Sequence, residues 1–441
     1  MKRLLTVWLL VVFSSAAFSQ EKDELVYNSI GIKSAPTTGE VQMELVGRLQ
    51  HRVSATRDAN DHFDRDINSP KSVNYLPSKK KFYVQSLEGF ETVAYDIESL
   101  DKLKVIRHTF TPENQHLFKD GESKVFDYEF RFRKSDFNIF SGKPVESCFS
   151  HNGKYLWVTY YRRSYDQNSQ SPSAVAIIDT DKDEIVRVMP TGILPKMIAA
   201  SPDNKYVAVT HWGDNTLGII DISSDDPFEF EYLHHLVVDK RLQLNFAAGE
   251  DVDRDSNCGY CLRGTVFTPD SKYLLVGRMG GGGIAVFDVD KGFDYSGVTL
   301  TNHHNIRHLV ISGNDLVIST NVNGYVDKVD WRDFIESRMV NPGNTNTISS
   351  GLESCYVGPG VRTISVTSNS KYIFACVNNL SKIVVVESAT MKKVAEIPAD
   401  SYPVGMELSE DDQYLLVTSQ GKYRKGGGHS VMIYKITYTQ S

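Results

Sequence analysis

The stretch Ser201–Ile222, SPDNKYVAVTHWGDNTLGIIDI, alternates turn chemistry with short β-branched runs. Ser201 to Asn204 is a turn cluster and Tyr206 to Thr210 a strand-length run. Gly213-Asp214-Asn215 is a second turn, and Leu217 to Ile222 a second run. No segment between them is long enough for a helix, so the spacing predicts consecutive antiparallel hairpins.

The same pattern recurs along the chain. Close copies are SHNGKYLWVTYY from 150, TPDSKYLLVGRM from 268, TSNSKYIFACVN from 367 and SEDDQYLLVTSQ from 409. LPSKKKFYVQS from 76 and ISGNDLVISTN from 311 are degenerate copies. Most are followed by an apolar run ending near an acid, as in VAIIDT at 175, IAVFDV at 284 and IVVVES at 383. Seven copies of short strands at a period of roughly 35 to 60 residues predict an all-β fold, a seven-bladed β-propeller with four-stranded blades.

The repeat resembles the YVTN family of propeller repeats. That family's pattern, a P-x-G-like start followed by S-P-D-G-K, Y-V-Y-V-T-N and G-D-N-T-V-x-V-I-D, is matched best at Pro195 to Asp221. The resemblance extends over about residues 70–436 and implies the fold. It implies little about chemistry, because propellers host enzymes, receptors and scaffolds alike.

Residues 1–19 read as a secretory signal peptide, with basic Lys2 and Arg3, an apolar Leu4–Phe13 and small residues before Gln20. That apolar core is too short to span a bilayer, and no later segment approaches eighteen uninterrupted apolar residues. No cysteine near the cleavage site suggests a lipid anchor, so a periplasmic or secreted protein is expected. Residues 20–69 form an N-terminal leader. Its alternating run Val41–Leu49 is expected to pair with Val431–Tyr438 and close the ring; residues 70–441 form the propeller. The formal charge of −7 becomes two units more negative without Lys2 and Arg3, which argues against nucleic acid as the default partner. A monomer without cofactor or metal is expected.

Of five cysteines, Cys148 and Cys376 lie in strand patterns and read as buried hydrophobes. Cys258, Cys261 and Cys355 lie in loops, and a disulfide among them is expected in an oxidising compartment. Leu262 rather than His follows Cys261, against haem attachment. Asp251, Asp253 and Asp255 alternate as a Ca²⁺ loop requires, but Ser256 and Leu262 stand where that loop needs Gly and Glu, so a solvated acidic loop is expected. The glycine runs 280–283 and 421–429 fall between strands, where a phosphate loop would need a helix to follow.

The innermost strand of each blade lines the central channel. Counting back from each turn aligns Ser72, Val145, Lys196, Arg263, Arg307, Arg362 and Val404 at one channel mouth. Four consecutive blades would place Lys196, Arg263, Arg307 and Arg362 side by side, with Glu146 as the nearest internal counter-charge. The long insertions 108–142, 162–173, 239–260 and 340–360 are assigned to the same face. Arg162, Arg278, Tyr160, Tyr161, His211 and Trp212 are expected near it. Arginine forks recognise carboxylate, sulfate or phosphate at two points. The leading expectation is therefore a binding module for an anionic small molecule, glycan or protein segment. An enzyme of the polysaccharide-lyase or lactonase type is the alternative, with His211, Tyr160 or Tyr161, and Arg263 or Arg307 in acid–base and charge-neutralising roles. An assembly scaffold is a third reading.

Overall fold

The turn that opens each repeat shows why those residue types recur. In blade 3, the Ser201 hydroxyl accepts hydrogen bonds from the Tyr206 and Lys205 N–H groups, while Asn204 takes a left-handed φ of 56°. Thr268, Thr367 and Ser409 accept from Tyr273, Tyr372 and Tyr414 in the same way, with Ser271, Ser370 and Asp412 left-handed. A short hydroxyl side chain thus replaces a ladder partner and starts the second strand.

In the computed structural model, which describes residues 27–36, 40–52, 56–119, 137–243, 252–348, 350–422 and 427–439, the repeats build seven antiparallel sheets. The inner strands are Pro70–Leu76, Phe140–Ser150, Pro195–Ala200, Leu262–Phe267, Ile306–Ser312, Val361–Val366 and Pro403–Leu408, for blades 1 to 7 in order. The chain is a seven-bladed β-propeller. Some blades carry a short fifth strand, such as Asp61–Phe63 on blade 7 and Ala35–Pro36 on blade 6.

Middle strands are apolar throughout because both faces are covered. Along Tyr206–His211, Val207 and Val209 pack with Trp157 and Ile177 of blade 2, whereas Ala208 packs with Leu274 and Val276 of blade 4. The period of two sends alternate side chains into two different inter-blade layers.

The ring closes through the two ends of the chain. Val41–Gln50 pairs antiparallel with Ser430–Tyr438, from Val41 opposite Tyr438 to Gln50 opposite Ser430, and so supplies the outer strand of blade 7. Val41, Met43 and Leu45 are fully buried against blade 6 side chains such as Val385 and Ile397. Arg48 on this strand is buried between two carboxylates: its Nη2 lies 2.7 Å from Asp61 and its Nη1 3.2 Å from Asp400. Ser430 donates to the other Asp400 oxygen at 2.7 Å.

One assignment changes. Segment 340–360 is not an insertion between blades at the mouth. It follows the helix Trp331–Met339, which joins the third strand of blade 5 to its outer strand Glu353–Tyr356, and third-to-fourth connections leave at the opposite face. Asp330 caps this helix by accepting from the Arg332 and Asp333 N–H groups. The leader 1–19 lies outside the described residues. Among the described residues, no helix is long and apolar enough to cross a membrane.

Removing the guanidinium of Arg48 leaves two buried carboxylates facing each other. Arg48→Leu is expected to destabilise the fold by about 3–5 kcal/mol, read as a lower denaturant midpoint, and Arg48→Lys by less. An unchanged midpoint would show that ring closure does not depend on this pair.

Candidate functional site

Every inner strand begins with the same irregularity. After the first ladder pair, such as Pro195 opposite His211 or Leu262 opposite Arg278, two residues face one on the neighbouring strand or the register slips, and regular pairing then resumes. Bulges re-aim side chains, and in blades 4, 5 and 6 the second residue of the inner strand, Arg263, Arg307 and Arg362, lines the channel cavity.

That second residue is Lys71 in blade 1, where counting from the turn had placed Ser72. Lys81, opposite Asp96, occupies the place that Tyr206, opposite Asp221, holds in blade 3. Aligning on the aromatic Phe82 therefore shifts the count by one. Lys71 is the cation that sequence reasoning missed, and the proline shared by Pro70, Pro195 and Pro403 is the signal that marks the correct register.

A cavity of about 260 Å³ occupies the channel, lined by Arg263, Arg307, Arg362, Glu146, His308 and Glu407 together with Ser72, Asn74, Ser147, Thr363 and Ser365. Arg263 forms an ion pair with Glu146, and its Nη1 is buried without a hydrogen-bond partner among the described residues. Arg307 donates to the Met279 sulfur at 3.0 Å and Arg362 to the Tyr402 hydroxyl at 3.4 Å. Neither has a carboxylate within ion-pair distance among the described residues. Among the described residues, the Lys71 ammonium reaches only the Gln420 amide oxygen, at 3.3 Å.

Four cations thus crowd one carboxylate. Burial, then Arg362 and Arg263, push Arg307 well below its ordinary value, and the same causes depress Lys71. Burial opposes ionisation of Glu146, but Arg263, Lys71, Arg362 and Arg307 together hold its carboxyl below the usual range. A guanidinium keeps its proton at neutral pH, so the repulsion stays in the folded protein as unfavourable energy.

The remaining expected site residues separate into other settings. Lys196 turns away from the cavity to Asp255, 2.7 Å distant, and its ammonium lies 4.1 Å from the Trp212 ring centre and 4.9 Å from that of Tyr161. Burial nevertheless pulls it down to about 7. The Trp212 indole N–H donates to the Asp255 carbonyl at 3.0 Å. Asp255 of the acidic loop is therefore committed to this box; Asp253 accepts from the Asp255 N–H, and Asp251 lies outside the described residues. Arg162 packs over Tyr161 and donates to the Gln167 carbonyl, and Arg278 pairs with Asp239 while stacking on Tyr260.

His211 and Tyr160 are not at the mouth surface. His211 Nε2 accepts from the Gly192 N–H at 3.0 Å, so Nδ1 carries the proton, and it lies 2.7 Å from the Thr216 hydroxyl; that hydroxyl donates to Asp214. Gly192 lies flat against the ring, where a Cβ would collide. Tyr160 is fully buried among Phe110 and Phe140, its hydroxyl 2.8 Å from His108 Nδ1. Both are held by packing and hydrogen bonds inside the fold, while Tyr161, the alternative to Tyr160, lies beside the Lys196 ammonium. Cys258 and Cys261 form a disulfide, whereas Cys355 is a buried free thiol.

No family model and no curated protein matches the chain. Among solved structures, a chain of Kuenenia stuttgartiensis hydrazine synthase is 13% identical over 87% of this chain and 99% of its own, with a TM-score of 0.55. The Myceliophteria thermophila Cps50 (Swd1) β-propeller domain is 12% identical, covering 84% and 97%, also with a TM-score of 0.55. At such identity the likeness is one of fold.

Glu407 stands deeper in the cavity, where burial alone pushes its carboxyl up to about 8. Its ordinary value is 4.5, so between those values the folded state holds a proton that the unfolded state has lost. Its contribution to stability is complete below 4.5 and disappears as pH rises through 8. Glu407→Gln is therefore expected to leave the melting temperature unchanged at pH 4 and to raise it progressively toward pH 9. A parallel shift at all pH values would overturn this.

Proposed function

We propose that this protein is an exported binding module that takes an anionic ligand at the cationic mouth of its channel. The observation that carries the reading is the group Lys71, Arg263, Arg307 and Arg362, buried around Glu146, the one carboxylate ion-paired with any of them among the described residues. Buried arginines elsewhere in this chain are satisfied by carboxylates, as Arg48 is, or by backbone carbonyls, as Arg163 and Arg338 are by those of Ser173 and Val298. At the channel, Arg307 and Arg362 meet a Met279 sulfur and a Tyr402 hydroxyl but, among the described residues, no carboxylate, which suits two-point recognition of phosphate, sulfate or carboxylate.

Export is supported by the leader at 1–19 and by the Cys258–Cys261 disulfide, which suits an oxidising periplasm or extracellular space. The resemblance to YVTN repeats at Pro195–Asp221 fits a rigid ring that presents a site rather than one that moves.

The test is melting temperature at low salt with phosphate, sulfate and glucuronate. A ligand at a hundred times its Kd contributes about 2.7 kcal/mol. The expected result is a selective rise that Arg307→Ala abolishes. Because Arg307 is repelled in the empty site, ligand-free Arg307→Ala is also expected to melt above the parent protein, the reverse of a structural arginine. No shift with any of the anions, together with a lower melting temperature for Arg307→Ala, would refute the reading and favour a scaffold.

A further inference from the structure

Resting on that reading of the channel, we infer that its ligand is bipolar: an amino-bearing phosphate or carboxylate whose anionic group meets Arg307 and Arg362 while its ammonium meets the Glu407 carboxyl. The two ends belong to one cavity. Ladder registers place Glu407, opposite Leu416, level with Ser365, opposite Phe374, in the neighbouring blade. Ser365 follows Arg362 by three residues, which is roughly 10 Å of strand.

At that depth the other six inner strands contribute Asn74, Cys148, Ala199, Val266, Val310 and Ser365, each opposite the third residue of its neighbouring strand. None of these side chains carries a positive charge, so no residue of that ring neutralises Glu407. Burial is the single cause of its raised affinity for a proton, and no hydrogen bond or ion pair to its carboxyl is present among the described residues. Glu146, the other carboxylate of the cavity, is committed to Arg263.

The cavity is therefore itself polarised, with unmatched positive charge at the mouth and an uncommitted acid below. A ligand with one charge would answer only one end. An ammonium seated against Glu407 supplies the missing counter-charge and favours the ionised carboxylate. Hydroxyls and amides between the ends, from Ser72, Asn74, Ser147 and Thr363, suit a hydroxylated body such as a hexosamine phosphate.

The experiment is calorimetric titration of the mature protein at pH 7 with inorganic phosphate, glucose 6-phosphate and glucosamine 6-phosphate. Glucosamine 6-phosphate is expected to bind at least tenfold more tightly than glucose 6-phosphate. Glu407→Gln should close that gap without weakening glucose 6-phosphate, and Arg307→Ala should weaken all three. Equal binding of the two sugars, or a gap that survives in Glu407→Gln, would overturn the bipolar ligand and leave the anion site standing. Absence of Arg307-dependent binding by any of the three, inorganic phosphate included, would overturn both.

Discussion

Closure of the ring is the constraint on which the rest of this structure depends. Seven radial sheets share one axis, and an open ring would leave bare strand edges and a split channel. Closure is achieved by lending blade 7 a strand from the start of the chain, Val41–Gln50, so that two segments nearly 400 residues apart are hydrogen-bonded neighbours. The apolar side chains of this strand pack into the seams beside blade 7. Arg48, held between Asp61 and Asp400, ties the strand to its flanking segment and to the preceding blade.

Once the ring is closed, symmetry concentrates whatever the repeat carries at one position. A basic residue near the start of an inner strand would be unremarkable on a single sheet. Repeated in blades 1, 4, 5 and 6 and turned inward by the shared bulge, it becomes a cluster of charges in a confined space with one carboxylate among them. Burial makes each member unfavourable, and mutual repulsion adds to this. Such opposition between stability and function is what the proposed anion site would entail. Lys196 shows the alternative outcome: the same strand position, but a loop carboxylate and two aromatic rings satisfy the charge internally.

Much of this was legible in the chain. Turn hydroxyls, left-handed Asn and Asp positions and β-branched runs act over a few residues, so the strands of blades 2, 3, 4, 6 and 7 could be read directly. The register of blade 1 was harder, because Lys81 replaces the tyrosine that marks the second strand in blades 2, 3, 4, 6 and 7, and this hid Lys71. The outer strand of blade 5 was hidden for a related reason: the helix Trp331–Met339 breaks the period before Glu353–Tyr356 completes the sheet.

The sequence by itself determined the repeat, its strand order and the basic residues at the inner-strand starts, because each rests on local backbone chemistry. Which of those bases are paired was decided only by the tertiary structure. Asp255 reaches Lys196 from a loop 59 residues away and Glu146 meets Arg263 across 117 residues, while Arg307 and Arg362 have no carboxylate partner among the described residues. His211 and Tyr160 likewise looked like mouth residues until packing placed one on the Gly192 N–H and the other in an aromatic core. Pairing and burial depend on distances across the ring, and no local pattern encodes those distances.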